Sequence, residues 1–205
     1  MQPILVDNAE WGAFFEELKK ESDRAVAILV ASYIDSLLRA KLEAHFCQGN
    51  AKVRRKLFDD ANGAFATLSA KADAAFCLGF LDPIVYHDVC VIRKIRNRFA
   101  HRHQGMSLDD PEITKMVNSL QVPTKLFYDW GKVQWGSLKD QQGIVLFNGI
   151  PEEDVDTIGD LPTYITFRLA TSYFFMFLAA CLGIAIKQED GTAKMFVFKK
   201  KAGSE

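Results

Sequence analysis

The stretch VIRKIRNRFAHRH, Val91–His103, is the most informative part of this chain. Through it and the residues just before it, apolar side chains recur three and four positions apart, at Val85, Val89, Ile92, Ile95 and Phe99. This spacing is the periodicity of an α-helix with one buried face. Asp82 followed by Pro83 is a helix start, and Gly105 ends the segment. The sequence therefore predicts a helix from about Pro83 to His101.

Working outward toward the N-terminus, the same periodicity covers Glu10 to Phe46, where Ser22 and Asp23 are expected to cap the second of two helices. The second helix carries only a narrow polar stripe, so we expect it to be central. That stripe consists of Ser32, Asp35, Arg39 and Glu43. Gly63–Leu78 is also helical in spacing, its alanines permit close helix contact, and Gly79 is expected to end it.

Toward the C-terminus, Asp110 and Pro111 start a short helix to about Leu120, and residues 121–162 have no assignable pattern. Within that segment, Ile144–Phe147 fits either a short strand or a buried helix. Leu169–Ile186 contains no formal charge and is predicted to be a buried helix rather than a membrane span. Met195–Phe198 is predicted to be a short strand or a partner-binding arm.

The composition is that of a globular protein. The chain has 205 residues, of which 49% are hydrophobic and 25% charged, and its formal net charge is −1. Disordered chains and disulfide scaffolds are excluded as classes, and any attraction to nucleic acid must come from a local patch. Four scattered cysteines and no secretory pattern indicate reduced thiols in the cytoplasm. We expect no bound metal and no cofactor.

One domain is predicted over residues 1–205. Its parts are N-terminal helices in residues 1–120, a less regular segment in residues 121–162, a buried apolar helix in residues 163–188 and a tail in residues 189–205.

The predicted Pro83–His101 helix ends in a cluster of cations without an acid. The cluster consists of Arg93, Lys94, Arg96, Arg98, Arg102, His101 and His103. At 100° per residue, Arg93, Arg96, Asn97 and His101 fall within an arc of about 140° beside the apolar stripe. They could line a groove or an interface. The alternative is a solvated helix end, where cations favour the helix dipole.

These residue types also fit phosphodiester cleavage without a metal. A guanidinium stabilises charge that develops on phosphate, and a histidine can act as general acid or base. Asp35 is the acid with a candidate supporting role, because it could neutralise an arginine such as Arg96. Its alternative is a local i,i+4 ion pair with Arg39.

The run RNRFAH, Arg96–His101, resembles the Arg-polar-x-x-x-His signature of the HEPN superfamily. That resemblance implies an all-helical domain that dimerises. It also points to a candidate activity, that of a metal-independent endoribonuclease. By the same resemblance, Arg96 would hold the scissile phosphate, His101 would move protons, and Asn97 would orient one of them.

A longer part of the chain resembles the mannitol-operon repressor family, MltR. It extends from Asp23 through KLFDDANGAFATLSAKADAAFCLGFLDP, residues 56–83, to His101. This resemblance implies a regulator of an operon that has no recognisable DNA-binding motif of its own. The chain has no helix-turn-helix pattern with a recognition helix, so we do not expect direct, sequence-specific DNA binding.

Together these observations predict an all-α, HEPN-like helical bundle, a homodimer in the cytoplasm that does not enter a membrane. The favoured function is MltR-type regulation of gene expression through a protein partner or RNA, in which Arg93, Lys94, Arg98, Arg102 and His103 make binding contacts. The second hypothesis is an endoribonuclease, of a kind that includes toxins, with Arg96, Asn97 and His101 as its catalytic residues. The third is a purely structural dimer.

Overall fold

The computed structural model describes residues 4–46, 50–101, 105–122, 133–138, 155–157 and 167–198. The chain groups into two compact units: residues 21–119, and residues 1–20 together with residues 120–205. The first is called the helical unit and the second the sheet unit. The prediction of one domain over the whole chain stays a prediction.

The helical unit consists of five helices in its described residues. They follow α1 (Asn8–Lys20), which belongs to the sheet unit, and are α2 (Asp23–His45), α3 (Ala51–Phe58), α4 (Leu68–Cys77), α5 (Pro83–His101) and α6 (Pro111–Val117). The predicted limits of α5 are confirmed, and Asp82 Oδ1 accepts a hydrogen bond from the Ile84 N–H at its start, 2.8 Å away. Ser22 caps α2, as predicted, by accepting from the Ala25 N–H.

The core of the helical unit forms where α2 packs against α5 and α4. The whole predicted apolar face of α5 is buried, and each of its five residues is at most 1% exposed. From α2 the core receives Val26, Val30, Ile34, Leu38 and Leu42, none of them exposed to solvent. Ala72 and Ala75 of α4 are buried as well, in agreement with the close helix contact that small side chains permit.

Two parts of the helical unit differ from the prediction. The polar segment after α2 contains α3, whose first turn is capped when Asn50 accepts from the Val53 N–H. The next helix begins at Leu68 rather than Gly63, because Thr67 accepts from the Ala70 N–H and so defines its first turn.

Gly79 ends α4 in the left-handed conformation, with φ of +73°, and no heavy atom lies within 4 Å of the place a Cβ would take. Gly79→Ala should therefore lower the free energy of unfolding by about 1 kcal/mol through backbone conformation alone. Urea unfolding followed by circular dichroism measures this change. Gly79→Asn should lose less, since asparagine tolerates this conformation. A Gly79→Ala variant more stable than the parent would contradict the assignment, since that gain requires a φ that alanine can adopt.

The sheet unit contains α1 (Asn8–Lys20), α7 (Phe167–Leu182) and a five-stranded sheet. The strands are β1 (Ile4–Asp7), β2 (Val133–Leu138), β3 (Val155–Thr157), β4 (Ile184–Lys187) and β5 (Ala193–Phe198), in the order β1-β4-β5-β2-β3. β1 pairs in parallel with β4, and the other neighbours pair antiparallel. The prediction of a mostly helical chain is confirmed, and the sheet is an addition to it.

The apolar C-terminal segment is a buried helix followed by a strand. Phe174, Phe175 and Leu178 of α7 are fully buried, and the Phe175 ring lies 5.3 Å from that of Phe14 in α1. The helix predicted over Leu169–Ile186 extends too far toward the C-terminus. The observed helix ends at Leu182, because Gly183, with φ of +67°, turns the chain into β4. Among the described residues, no helix combines the length and hydropathy that crossing a membrane requires.

The predicted strand at Met195–Phe198 is confirmed as part of β5. Residues 121–162, for which no pattern was assigned, contain β2 and β3. The segment Ile144–Phe147 lies outside the described residues.

Candidate functional site

The polar residues of α5 line two separate grooves of the helical unit. The first, called the arginine groove, has a volume of about 690 Å³ and lies where α2, α5 and the start of α4 come together. Its polar lining consists of Ser32, Asp35, Ser36, Thr67, Ser69, Arg93, Arg96 and Asn97. The second, called the histidine groove, has a volume of about 300 Å³. Its lining consists of Lys94, Asn97, Arg98, His101 and Met116.

Helix geometry explains this division. Positions 93, 96 and 97 form one stripe on the helix, and positions 94, 97, 98 and 101 form the next, because residues three and four apart share a face. Arg96 and His101 are at opposite ends of an arc of about 140°. Asn97 lies between them and lines both grooves. Within one chain, therefore, the two ends of the Arg-to-His motif face different grooves.

The motif residues themselves are accessible. Arg96 and His101 are exposed, and Asn97 is half-buried. Arg96 Nη1 donates a hydrogen bond to Asn97 Oδ1 at 3.0 Å. This bond leaves the remaining guanidinium donors of Arg96 for a ligand or partner.

The other cations of α5 differ in how they are held. Lys94 and Arg98 are exposed, and Arg98 Nη2 lies 2.9 Å from Glu112 Oε1 of α6. Arg93 is half-buried, and its Nε atom is buried without a hydrogen-bond partner in the described structure. Arg102 and His103, both predicted to make binding contacts, lie outside the described residues.

Asp35 lies in the arginine groove, but both partners considered for it are wrong. Its two carboxylate oxygens accept hydrogen bonds from Lys71 Nζ of α4, at 2.8 and 2.9 Å. The Lys71 side chain is 3% exposed and that of Asp35 is 34% exposed. Arg96 bonds to Asn97 instead, and Arg39 lies against two other acids.

Arg39 donates from Nη1 to Asp59 Oδ1 at 2.6 Å and from Nε to Glu43 Oε1 at 2.9 Å. These two carboxylates, Asp59 first, raise the pKa of the Arg39 guanidinium. The expected pair between positions 35 and 39 does not form because each residue has a better placed partner on a neighbouring segment.

Two buried lysines were missed by the sequence reasoning. Lys71 forms the ion pair beside the arginine groove, and Lys41 of α2 places its Nζ 4.9 Å from the centre of the Phe80 ring. Burial lowers the pKa of Lys41. The one signal for Lys71 was its position among the apolar Leu68, Ala72 and Ala75, on the inner face of a helix rich in alanine.

Comparison with known proteins gives distant structural similarity to solved chains. No family model matches the sequence, and no curated protein is significantly similar to it. The solved X-ray structure of the MtlR–HPr complex from Escherichia coli aligns with this chain at 18% identity and a TM-score of 0.47. The alignment covers 56% of this chain and 74% of that one.

Proposed function

We propose that this chain is a cytoplasmic, homodimeric regulator of gene expression of the MltR type, which acts by binding a protein partner or RNA through the cationic side of α5. The observation that carries the proposal is the division of Arg96 and His101 between two grooves. One chain then offers a broad surface of positive charge, and within that chain the arginine and the histidine of the motif, Arg96 and His101, do not line the same groove.

The charge of this side supports a binding role. Lys94 and Arg96 are exposed, and neither is in an ion pair with a described carboxylate; Arg98 alone among the exposed cations of α5 has such a partner, Glu112. Unneutralised cations on a protein of net charge −1 create a local positive potential. Such a potential steers an anionic partner onto the surface and speeds association.

The test is retention of a partner by the immobilised protein at physiological salt. The double variant Lys94→Ala/Arg98→Ala should weaken retention at least roughly tenfold. Charge pairs across an interface contribute interaction energies equivalent to such a change in affinity. The matched control is Arg54→Ala/Lys56→Ala, which removes two exposed cations from α3, outside both grooves. Digestion of the extract with ribonuclease separates an RNA partner from a protein. Equal retention by the two double variants would contradict the proposal.

A second candidate, a metal-independent endoribonuclease, is favoured by the exposure of both ends of the motif. Since Arg96 and His101 are both open to solvent, a second copy of the chain could bring its His101 to the Arg96 of the first. The 2′-hydroxyl of RNA would then be the nucleophile, and His101 the general acid or base.

This candidate predicts cleavage of an RNA pool in the presence of EDTA. His101→Ala should lower the cleavage rate about 10²- to 10⁴-fold, the usual contribution of general acid–base catalysis. The helical circular dichroism signal should stay the same, because His101 is exposed. Cleavage at the parent rate in His101→Ala would remove the catalytic role, and retention of a partner by that variant would favour the binding protein.

A further inference from the structure

The arginine groove carries a net positive charge at its lining. Arg93 and Arg96 contribute two guanidinium groups, and neither is in an ion pair with a described carboxylate. Asp35 is the acid of this groove, and the Lys71 ammonium already neutralises it at 2.8 Å. The charge of the two arginines is therefore left for something that enters the groove.

Arg93 lines this groove, and one of its donors has no hydrogen-bond partner among the described residues. Its Nε atom is buried and has no acceptor in the described structure. A buried donor of a charged group that lacks a partner is costly, so the guanidinium of Arg93 gains from any acceptor that a small movement of its side chain brings within reach. An oxygen-rich anion is the ligand that meets this need and the charge together.

Further donors converge from the other two helices. Leu68 and Ser69, in the first turn of α4, line the groove, and N–H groups in the first turn of a helix have no partner within the helix. Thr67 accepts from the N–H of Ala70, the third residue of that turn. Ser32 of α2 and Ser69 add hydroxyl groups to the lining. Guanidinium, amide and hydroxyl donors around one space match the oxygens of a phosphoryl group better than the two oxygens of a carboxylate.

We propose that the arginine groove binds a small molecule that carries a phosphoryl group. Its volume of about 690 Å³ lies within the usual range for small-molecule sites and leaves room for a sugar or nucleoside beside the phosphate. Arg93 holds the phosphoryl oxygens from α5, and the first turn of α4 holds them from the other side. This binding does not require Lys94, Arg98 or His101, whereas the charge of Arg96 contributes both to this groove and to the macromolecular contact proposed above.

The decisive variant is Ser69→Asp. A carboxylate in the first turn of a helix favours the helix dipole, so this change should not lower the thermal midpoint of the free protein. The same carboxylate lies in the groove and repels an anion. Ser69→Asp should therefore weaken phosphate-ester binding at least roughly tenfold while the protein remains folded, and Arg93→Gln should do the same by removing the charge that the ester contacts.

Isothermal titration of the full chain with inorganic phosphate, glucose 6-phosphate and adenosine monophosphate measures the binding. Glucose and adenosine are the neutral controls, succinate is the carboxylate control, and Arg54→Gln on α3 is the control for loss of one exposed cation. We expect the phosphate compounds to bind, and glucose, adenosine and succinate not to bind. The affinity of Arg54→Gln for the phosphate compounds should equal that of the parent. Tighter binding of either ester than of inorganic phosphate identifies an ester as the ligand, and equal binding identifies the free ion.

Three results would overturn the proposal. The first is no heat from any phosphate compound, and the second is succinate binding as tight as phosphate. The third is unchanged phosphate binding in Ser69→Asp. A single-stranded oligoribonucleotide that binds in a Ser69-dependent manner, while the small phosphate compounds do not, would instead assign the groove to RNA.

Discussion

Phe99→Ala should lower the free energy of unfolding of the helical unit by about 3–5 kcal/mol, the range for removing a fully buried aromatic side chain. Phe99 is 0% exposed and lies on the face of α5 that packs against α2. Removal of its ring leaves a cavity that the surrounding residues fill only in part. Urea unfolding followed by the helical circular dichroism signal gives the value, and the midpoint should fall while the denaturant slope stays the same.

The matched control is His101→Ala, two residues along the same helix. Because His101 is exposed, its removal leaves no cavity, and alanine favours the helix. We expect the unfolding midpoint of this variant to match or exceed that of the parent. A Phe99→Ala variant as stable as His101→Ala would show that α5 does not bury this face.

Asp35→Ala should lower the free energy of unfolding by about 3 kcal/mol, the lower end of the range for a broken buried ion pair. The loss arises at Lys71, whose side chain is 3% exposed and would be left buried without its carboxylate partner. The value falls at the lower end because water reaches Asp35, which is 34% exposed. The same unfolding experiment measures it.

The two partners of this ion pair should differ in their effect. Lys71→Met leaves a carboxylate that water can hydrate, so it should cost less than Asp35→Ala. Glu112→Ala, which removes a half-exposed partner of Arg98, is the control and should leave the midpoint nearly the same. If Lys71→Met proves more destabilising than Asp35→Ala, the free energy of the pair does not come from the buried ammonium.

The helices could be predicted from the sequence because their signals are local. The limits of α5 follow from Asp82, Pro83 and a five-residue apolar face, all within one stretch of 20 residues. The strands could not be predicted in the same way, because a short run such as Ile184–Lys187, three apolar residues and a lysine, fits a strand or the end of a helix equally well. What separates the two structures is the left-handed turn at Gly183 and the pairing of β4 with β5 and with the distant β1.

The arrangement of the candidate residues on α5 could be predicted from the sequence, but the partners of these residues could not. The spacing of Arg93, Arg96, Asn97 and His101 gave the arc on α5, and helix geometry alone could not say that the arc spans two grooves. The partner of Asp35 was missed because Lys71 is 36 residues away in the chain. Local rules favour Arg39, four residues away, and tertiary packing overrides them.

The parallel pairing of β1 with β4 joins residues about 180 positions apart, at Ile4 and Ile184. A ribosome releases β1 well before β4, so β1 lacks this neighbour while the intervening residues are being made. The helical unit, residues 21–119, depends on contacts within about 100 residues and can form early, since local contacts favour fast folding. Nascent chains of this protein therefore complete the helical unit before the pairing of β1 with β4. Until then the backbone groups of β1 remain open to association or chaperone binding.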